Sequence, residues 1–484
     1  MSAHALSDAI HAKKVSCREV MQAYLARIAQ VNPQVNAIVS LQDEAALLAQ
    51  ADLRDAQLAR GESMGWMHGM PQAIKDLSLA KGIANTQGSP LLRNFVAASD
   101  GLMVQRMKAA GCIVIGKTNV PEFGLGSHTF NEVFGTTRNP YDLSKTAGGS
   151  SGGGAVALAT RMLPVADGSD FMGSLRNPAG WNNVFGMRPS QGRVPMWPAT
   201  DCFISQLGTE GPMARTVQDL ALLLTTQAGP DARAPLSIAT AVDFSGLNGV
   251  TGFKASRPVK IGWLGDLSGY LPMEAGVLEV CEQALRRFEG LPGCVVEPTL
   301  LGMSPDKVWQ TWLVWRRALT GSRIAPHLLN PQNREHIKAE ALWEYDQSTH
   351  LTGTELMNAS TQRTAFYQHL LGLFERYDFL ALPTAQVWPF DAALRWPSHI
   401  NGQEMDTYHR WMEVTIYATL AGLPCISLPA GFNAEGLPMG LQIIGKPQGD
   451  LAVLQLAAAY EPMAQEVLQR QPLIKPVLGR RLSG

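Results

Sequence analysis

The sequence predicts an α/β fold, and three observations support this class. Two helical patterns open the chain, and short apolar runs of strand length then alternate with further helical patterns. The chain has 484 residues, of which 46% are hydrophobic and 17% charged, a balance typical of a globular protein with a large core. No linker, repeat or low-complexity tract divides it, so we expect a single domain over residues 1–484.

The first 60 residues predict two amphipathic helices that cover a core. Ser16 and Glu19 have the spacing of a capping box, in which the serine caps the helix and the glutamate reaches back. Behind them, apolar residues recur at helical spacing. A second helical pattern covers residues 43–60 and ends at Gly61, a residue suited to helix ends.

Further along, residues 69–79 predict a turn and a short strand that contains Lys75, and residues 100–110 predict a helix followed by a buried strand. Residues 111–118, GCIVIGKT, match the P-loop pattern. A P-loop needs a flexible loop whose amides bind phosphates before a helix begins, whereas these central residues are typical of a strand and Pro121 follows them. We therefore do not expect ATP binding here.

Two glycine- and serine-rich loops, GGSSGGG at 148–154 and GSDFMGSLR at 168–176, flank an apolar segment. That segment predicts a helix through Thr160 and a strand over residues 163–166. Loops of this composition bring backbone N–H groups to a ligand, and consecutive N–H groups beside a serine suit an oxyanion. The first loop also matches the nucleophile elbow of α/β-hydrolases, but a polar, proline-broken stretch precedes it where that motif needs a strand.

Taken together, Lys75 in PQAIKD and the loops GGSSGGG and GSDFMGSLRNPAG resemble the amidase signature family. Lys75 precedes Ser150 by 75 residues, and Ser150 precedes Ser174 by 24, which agrees with the spacing of that family's catalytic triad. The segments LAGLP and PMGLQIIG extend the resemblance to nearly the whole chain. The resemblance implies one large α/β/α sandwich around a mixed, twisted sheet, with a mainly helical substrate-cleft region over residues 228–374.

The resemblance also implies roles for individual residues. Ser174 is expected to be the nucleophile, Ser150 the bridging serine after a cis peptide bond, and Lys75 the base, with no metal or cofactor. To accept a proton Lys75 must be neutral, so its pKa must fall by roughly three units from about 10.4, which burial can supply. The expected oxyanion donors are the backbone N–H groups of Phe171, Met172, Gly173 and Ser174.

One departure from the family pattern lies beside the nucleophile, where Met172-Gly173 replaces the usual pair of glycines. A methionine there predicts a narrower, more apolar acyl pocket. Asp170 and Arg176 are expected to pair and brace this loop. The serines at 151 and 169 are expected to make hydrogen bonds in their own loops and not to act as nucleophiles.

The second half of the chain is rich in tryptophan, which predicts an aromatic, apolar substrate cleft. Trp309, Trp312 and Trp315 recur on one predicted helix face, where they either pack in the core or line the cleft. We find no cluster of arginine or lysine in the sequence that would bind a substrate carboxylate. The predicted pocket residues are Gly149, Ser127, His128, Met172, Trp181, Trp309, Trp312 and Trp315.

These features predict a free-standing amidase for apolar or aryl amides, with carbamates and esters also chemically accessible. Two alternatives remain open: the glutaminase subunit of a tRNA-dependent amidotransferase, and a non-catalytic scaffold on the same fold. The net charge of −1 gives no attraction to nucleic acid or membrane. No signal peptide, membrane span or disulfide pattern is present, so we expect a cytoplasmic monomer or homodimer with a small-molecule amide or carbamate as its partner.

Overall fold

A computed structural model describes residues 1–247, 258–472 and 474. The predicted domain over 1–484 and the predicted helical region over 228–374 therefore include positions outside the described residues, namely 248–257, 473 and 475–484.

The described residues form thirteen strands and fourteen α-helices. The strands are β1 (Ile38–Val39), β2 (Pro71–Lys75), β3 (Ile113–Thr118), β4 (Ala166–Asp170), β5 (Phe185–Arg188), β6 (Thr209–Ala214), β7 (Val259–Trp263), β8 (Cys294–Pro298), β9 (Phe379–Pro383), β10 (His399–Ile400), β11 (Gln403–Glu404), β12 (Cys425–Phe432) and β13 (Pro438–Gly445). The helices are α1 (Ala3–His11), α2 (Cys17–Val35), α3 (Glu44–Ala59), α4 (Leu102–Ala109), α5 (Gly152–Ala159), α6 (Arg176–Trp181), α7 (Val217–Gln227), α8 (Val277–Glu289), α9 (Pro305–Ile324), α10 (Ala339–Ser348), α11 (Gly353–Arg376), α12 (Ile416–Leu420), α13 (Asp450–Tyr460) and α14 (Gln465–Leu468).

The main sheet has eight strands in the order β4-β6-β5-β12-β13-β9-β7-β8. Strand β7 runs parallel to β8 and β9, and all other neighbours in this sheet are antiparallel. Helices flank this mixed sheet, and α6 and α8 pack against its central strands β12 and β13. The predicted α/β fold with a mixed sheet is confirmed.

A second sheet of three strands, in the order β1-β3-β2, holds Lys75 at the end of β2. Strand β2 pairs in parallel with β3, and Lys75 lies opposite Thr118. The residues that match the P-loop pattern are thus mainly the buried strand β3, without the flexible loop that phosphate binding requires.

Most predicted helices form where their capping signals lie. The capping box of Ser16 and Glu19 is complete at the start of α2, and the Asp43 side chain caps α3. The strand predicted over 163–166 is wrong in position, because β4 covers 166–170. Its residues pair with β6 from Ala166 opposite Met213 to Asp170 opposite Thr209, and this pairing outweighs the turn preference of glycine.

The three tryptophans of α9 pack in the protein interior. Trp309 and Trp312 are fully buried and Trp315 is 7% exposed. No helix among the described residues is both long enough and apolar enough to cross a membrane.

Candidate active site

Lys75 is fully buried where β2 ends, and its Nζ lies among three serine side chains. The distances from Nζ are 2.9 Å to Ser150 Oγ, 2.7 Å to Ser151 Oγ and 3.0 Å to Ser169 Oγ. The Ser169 carbonyl oxygen lies 3.1 Å away. The structure thus brings Lys75 and Ser150 into direct contact and adds two serines, which were expected only to support their own loops.

The environment of Lys75 favours a neutral amine. Burial lowers the pKa of Lys75 to about 7, although the nearby carboxylates of Asp170 and Asp167 act in the opposite direction. A neutral amine carries a lone pair that can accept a proton from the Ser150 hydroxyl. This pKa is low enough for Lys75 to act as a base near neutral pH, as the resemblance required.

The loop that carries Ser150 is held by side chains from outside the loop, which contact its backbone carbonyl groups. The Gly149–Ser150 peptide bond is cis, as expected. Ser127 Oγ lies 2.6 Å from Gly149 O, and the Thr129 hydroxyl donates to Gly148 O at 2.8 Å. These contacts hold the loop on the side that precedes Ser150, while α5 begins immediately after it at Gly152.

Asp170 braces the loop that carries Ser174. Its carboxylate accepts the Gly173 N–H at 2.9 Å and the Leu175 N–H at 3.2 Å. Arg176 donates to both carboxylate oxygens, at 2.9 and 3.0 Å, so the predicted pairing is confirmed. Although burial alone would raise it, the neighbouring guanidinium groups of Arg176 and Arg188 hold the pKa of Asp170 well below its usual range.

The N–H groups expected to bind an oxyanion are not equivalent. Because the Gly173 N–H already donates to Asp170, it is not a free donor. The N–H groups of Phe171, Met172 and Ser174 have no hydrogen-bond acceptor in the part of the chain that the structure describes. Three of the four predicted donors therefore remain available.

Ser174 opens onto a cavity that is partly cationic. One face of α9, carrying Arg316, Thr320 and Arg323, forms part of its wall. This corrects the expectation that no arginine cluster would lie in the site. The signal was present in the sequence, because residues four and seven positions apart lie on the same helix face. The remaining lining residues are Gly124, Leu125, Gly126, Phe171, Met172 and Met412.

The two arginines of this wall differ in their partners. Arg316 is buried, donates to Glu344 Oε1 at 2.6 Å and contacts the Tyr408 hydroxyl at 2.5 Å. Arg323 is exposed and donates to the Phe123 carbonyl at 3.0 Å. No carboxylate of the described residues forms an ion pair with Arg323, so its charge is available to a ligand.

Of the other predicted pocket residues, Met172 lines the cavity, and Ser127 and His128 line an adjoining one. His128 Nε2 lies 3.1 Å from Ala392 O and its Nδ1 2.7 Å from the Thr146 hydroxyl. Burial lowers the pKa of His128 to about 4, so this histidine is neutral and holds its loop in place.

None of the four tryptophans named as possible pocket residues lines the cavity beside Ser174. Trp181 is fully buried and stacks on Trp411, with the ring centroids 5.8 Å apart. Trp312 packs behind the cavity against Phe171 at 5.4 Å, Trp309 is enclosed in the core, and Trp315 borders an outer groove. These large apolar surfaces contribute more to the stability of the fold when they are buried than when they face a water-filled cleft.

Comparisons of the sequence and of the fold find similar known proteins. A family model described as Amidase matches residues 19–454. The A subunit of the Ralstonia nicotianae glutamyl-tRNA(Gln) amidotransferase is 34% identical over 94% of this chain and 96% of its own length. Its counterpart from Lactiplantibacillus plantarum is also 34% identical, over 96% of each chain.

Two solved structures extend the comparison. A bacterial aryl acylamidase of the amidase signature family superposes with a TM-score of 0.89 at 30% identity, over 97% of this chain and 98% of the other. The A subunit of the Thermotoga maritima glutamyl-tRNA(Gln) amidotransferase superposes with a TM-score of 0.72 at 29% identity, over 92% and 91% of the two chains.

Proposed function

Since the chain belongs to the amidase signature family, we propose that it hydrolyses the side-chain amide of glutamine and supplies ammonia as one subunit of a tRNA-dependent amidotransferase. The observation that carries the chemistry is the buried Lys75 amine, 2.9 Å from Ser150 Oγ. The choice of glutamine is supported by the full-length similarity to the A subunits of glutamyl-tRNA(Gln) amidotransferases.

This proposal replaces the prediction of a free-standing amidase for apolar or aryl amides, carbamates or esters. That prediction is wrong in the light of the curated relatives named above, which are amidotransferase A subunits. It depended on an aromatic cleft, whereas the tryptophans of α9 do not line the cavity and two arginines do.

The predicted partners are corrected in the same way. A monomer or homodimer without nucleic acid does not fit relatives that are subunits acting on glutamyl-tRNA(Gln). We therefore expect further protein subunits and a tRNA. The net charge of −1 fits an arrangement in which those other subunits carry most of the tRNA contacts. Such an assembly would work in the cytoplasm, which the six free cysteines also favour.

In the proposed reaction, Ser174 Oγ attacks the carboxamide carbon while its proton passes through Ser150 to the neutral Lys75. The free N–H groups of Phe171, Met172 and Ser174 would stabilise the oxyanion of the tetrahedral intermediate. When the C–N bond breaks, the proton returns from Lys75 to the leaving nitrogen, and ammonia departs. The glutamyl group is then held on Ser174 Oγ as an ester. Water attacks this ester through the same proton relay, which releases glutamate and restores Ser174.

The test is ammonia release from L-glutamine, compared with hydrolysis of an acetanilide as an aryl amide. Wild type and the control Ser205→Ala, which changes an exposed serine, should both release ammonia from glutamine. Ser174→Ala should lose at least ~10³-fold in rate, because the nucleophile is removed. Turnover of the anilide without turnover of glutamine, alone or with the partner subunits, would contradict the proposed substrate.

A further inference from the structure

We propose that the cavity recognises its substrate through a carboxylate at Arg323 and has no group that recognises an α-ammonium. The inference rests on the proposed function, since it describes how the acyl part of glutamine is held while Ser174 reacts with the side-chain amide. It names Arg323 as a specificity-determining residue and defines the substrate class as anionic carboxamides.

The position and bonding of Arg323 support this role. It lines the cavity that Ser174 also lines, and the residue as a whole is exposed. One Nη2–H donates to Phe123 O at 3.0 Å, which anchors the guanidinium at one corner. Its other N–H groups have no acceptor among the described residues. A planar guanidinium with free donors matches the two oxygens of a carboxylate better than any neutral group.

Arg316, the other cation of the wall, already has hydrogen-bond partners within the protein. Glu344 and Tyr408 occupy its Nε and Nη2, and its Nη1 lies 3.5 Å from the Met172 sulfur. Because Glu344 neutralises it, Arg316 gives the wall its shape and polarity but little free charge. A substrate carboxylate therefore gains most at Arg323, with which no carboxylate of the described residues forms an ion pair.

No acidic side chain lines this cavity within the described residues, and that absence defines the second half of the proposal. Glu344 has no exposed surface and lies behind Arg316. Glu340 belongs to the adjoining cavity and is held by Arg395 at 2.5 and 2.9 Å. An ammonium group that entered the cavity would thus lose its hydration and lie near two positively charged guanidinium groups. It would gain no anionic partner in return.

Four amides distinguish the effect of the substrate carboxylate from that of the substrate ammonium. L-Glutamine carries both groups, glutaramate only the carboxylate, 4-aminobutanamide only the ammonium, and butanamide neither. With wild type, assayed with partner subunits where they are required, loss of the carboxylate should lower kcat/KM about 10- to 100-fold, the range for a hydrogen bond to a charged group. Loss of the ammonium should leave kcat/KM unchanged or higher. A preference for L-glutamine over glutaramate of more than tenfold would overturn the proposal.

Two variants assign the effect to a side chain. Arg323→Gln should lower kcat/KM for L-glutamine and glutaramate by a factor about 10- to 100-fold larger than any loss it causes for butanamide. Arg317→Gln removes the same charge from the same helix at a position that does not line the cavity, and should keep the wild-type pattern. An equal loss on all four amides in Arg323→Gln would show a general structural role and overturn the proposal.

If the proposed glutaminase function is wrong, the experiment gives a result that differs from failure of the Arg323 proposal alone. If wild type hydrolyses none of the four amides, the glutaminase proposal fails, and titration calorimetry with glutarate decides the inference. Binding of glutarate to wild type and to Arg317→Gln, with at least tenfold weaker binding to Arg323→Gln, would support carboxylate recognition. Equal binding to all three proteins would overturn it.

Discussion

Lys75 is the residue whose protonation should set the pH dependence of the reaction. Burial places its pKa at about 7, and only the neutral amine can accept the proton from Ser150. We therefore expect kcat/KM to rise as the pH increases through about 7 and to level off above it. The measurement is a pH profile of ammonia release with glutaramate, whose carboxylate stays ionised over this range. A rate that falls through pH 7 would contradict the role of Lys75 as base.

Asp170 should be the most sensitive stabilising residue near the nucleophile. Asp170→Asn removes a buried negative charge from Arg176 and Arg188, which then lack their partner. We expect the free energy of unfolding to fall by about 3–5 kcal/mol, the usual cost of breaking a buried ion pair. Denaturant unfolding measures this change. The control Asp52→Asn breaks an exposed pair with Arg18 and should leave the unfolding free energy nearly unchanged.

At the scale of residues, the sequence predicted the site residues that stand in recognisable motifs. It missed the site residues that distant segments of the chain contribute. Lys75 and Ser150 are 75 positions apart, yet both stand in recognisable motifs and meet in the structure. Arg323 stands in no motif, and only the docking of α9 beside Ser174 places it in the site. The loss of Gly173 as a free donor depends on the position of the Asp170 side chain, which composition does not reveal.

At the scale of elements, α5 is built from glycines because its first turn lies against other backbone. A Cβ at Gly153 would lie 2.4 Å from Asn119 N and 2.6 Å from Ala37 O. Gly153→Ala should therefore destabilise the protein and displace Ser150, lowering both the melting temperature and the rate of ammonia release.

The matched control is Gly372→Ala in α11, where a Cβ would have no neighbour within 4 Å. There the substitution should stabilise the protein by about 0.5–1 kcal/mol, because alanine loses less backbone entropy in a helix. Thermal unfolding of both variants measures the contrast. Similar effects at the two positions would show that helix propensity, and not close packing, explains the glycines of α5.

Elements with strong local signals formed where they were predicted, as α2 and α3 show. Strand β4 was misplaced because its ladder with β6 specifies it, and that partner lies about 40 residues further along the chain. Sequence patterns report local preferences, so elements that depend on a distant partner are the least predictable.

At the scale of the whole molecule, Asp219 ties the start of the chain to α7. Its carboxylate accepts the backbone N–H groups of Ala3 and His4 at 2.8 and 2.9 Å, and His4 Nδ1 lies 2.8 Å away. Asp219→Ala should lower the free energy of unfolding by at least about 2 kcal/mol, because several charge-assisted hydrogen bonds are lost.

The same substitution should free α1 and speed cleavage by trypsin at the exposed Lys13 and Lys14. N-terminal sequencing of the early fragments identifies the site. Asp8→Asn, an exposed change within α1, serves as the control and should leave the cleavage rate unchanged. Equal cleavage rates in the two variants would mean that other contacts hold the helix.

The family and the fold class were predictable for the whole chain because long glycine-rich motifs and alternating elements specify both. Substrate and partners were not. The tryptophans of α9 suggested an apolar cleft, but the side of that helix facing Ser174 carries Arg316 and Arg323. Which helix face meets the cavity depends on tertiary packing, and α9 is apolar or aromatic along much of its length.

The order of strands in the main sheet has a consequence for synthesis on the ribosome. Strands β4 to β6 do not pair with strands β7 to β9, because the hairpin of β12 and β13 lies between them and pairs with β5 on one side and β9 on the other. That hairpin spans residues 425–445 and emerges after every other strand that the structure describes. Until then each nascent half-sheet has an open edge at β5 or β9, so chaperone binding should be greatest just before residue 425 leaves the exit tunnel.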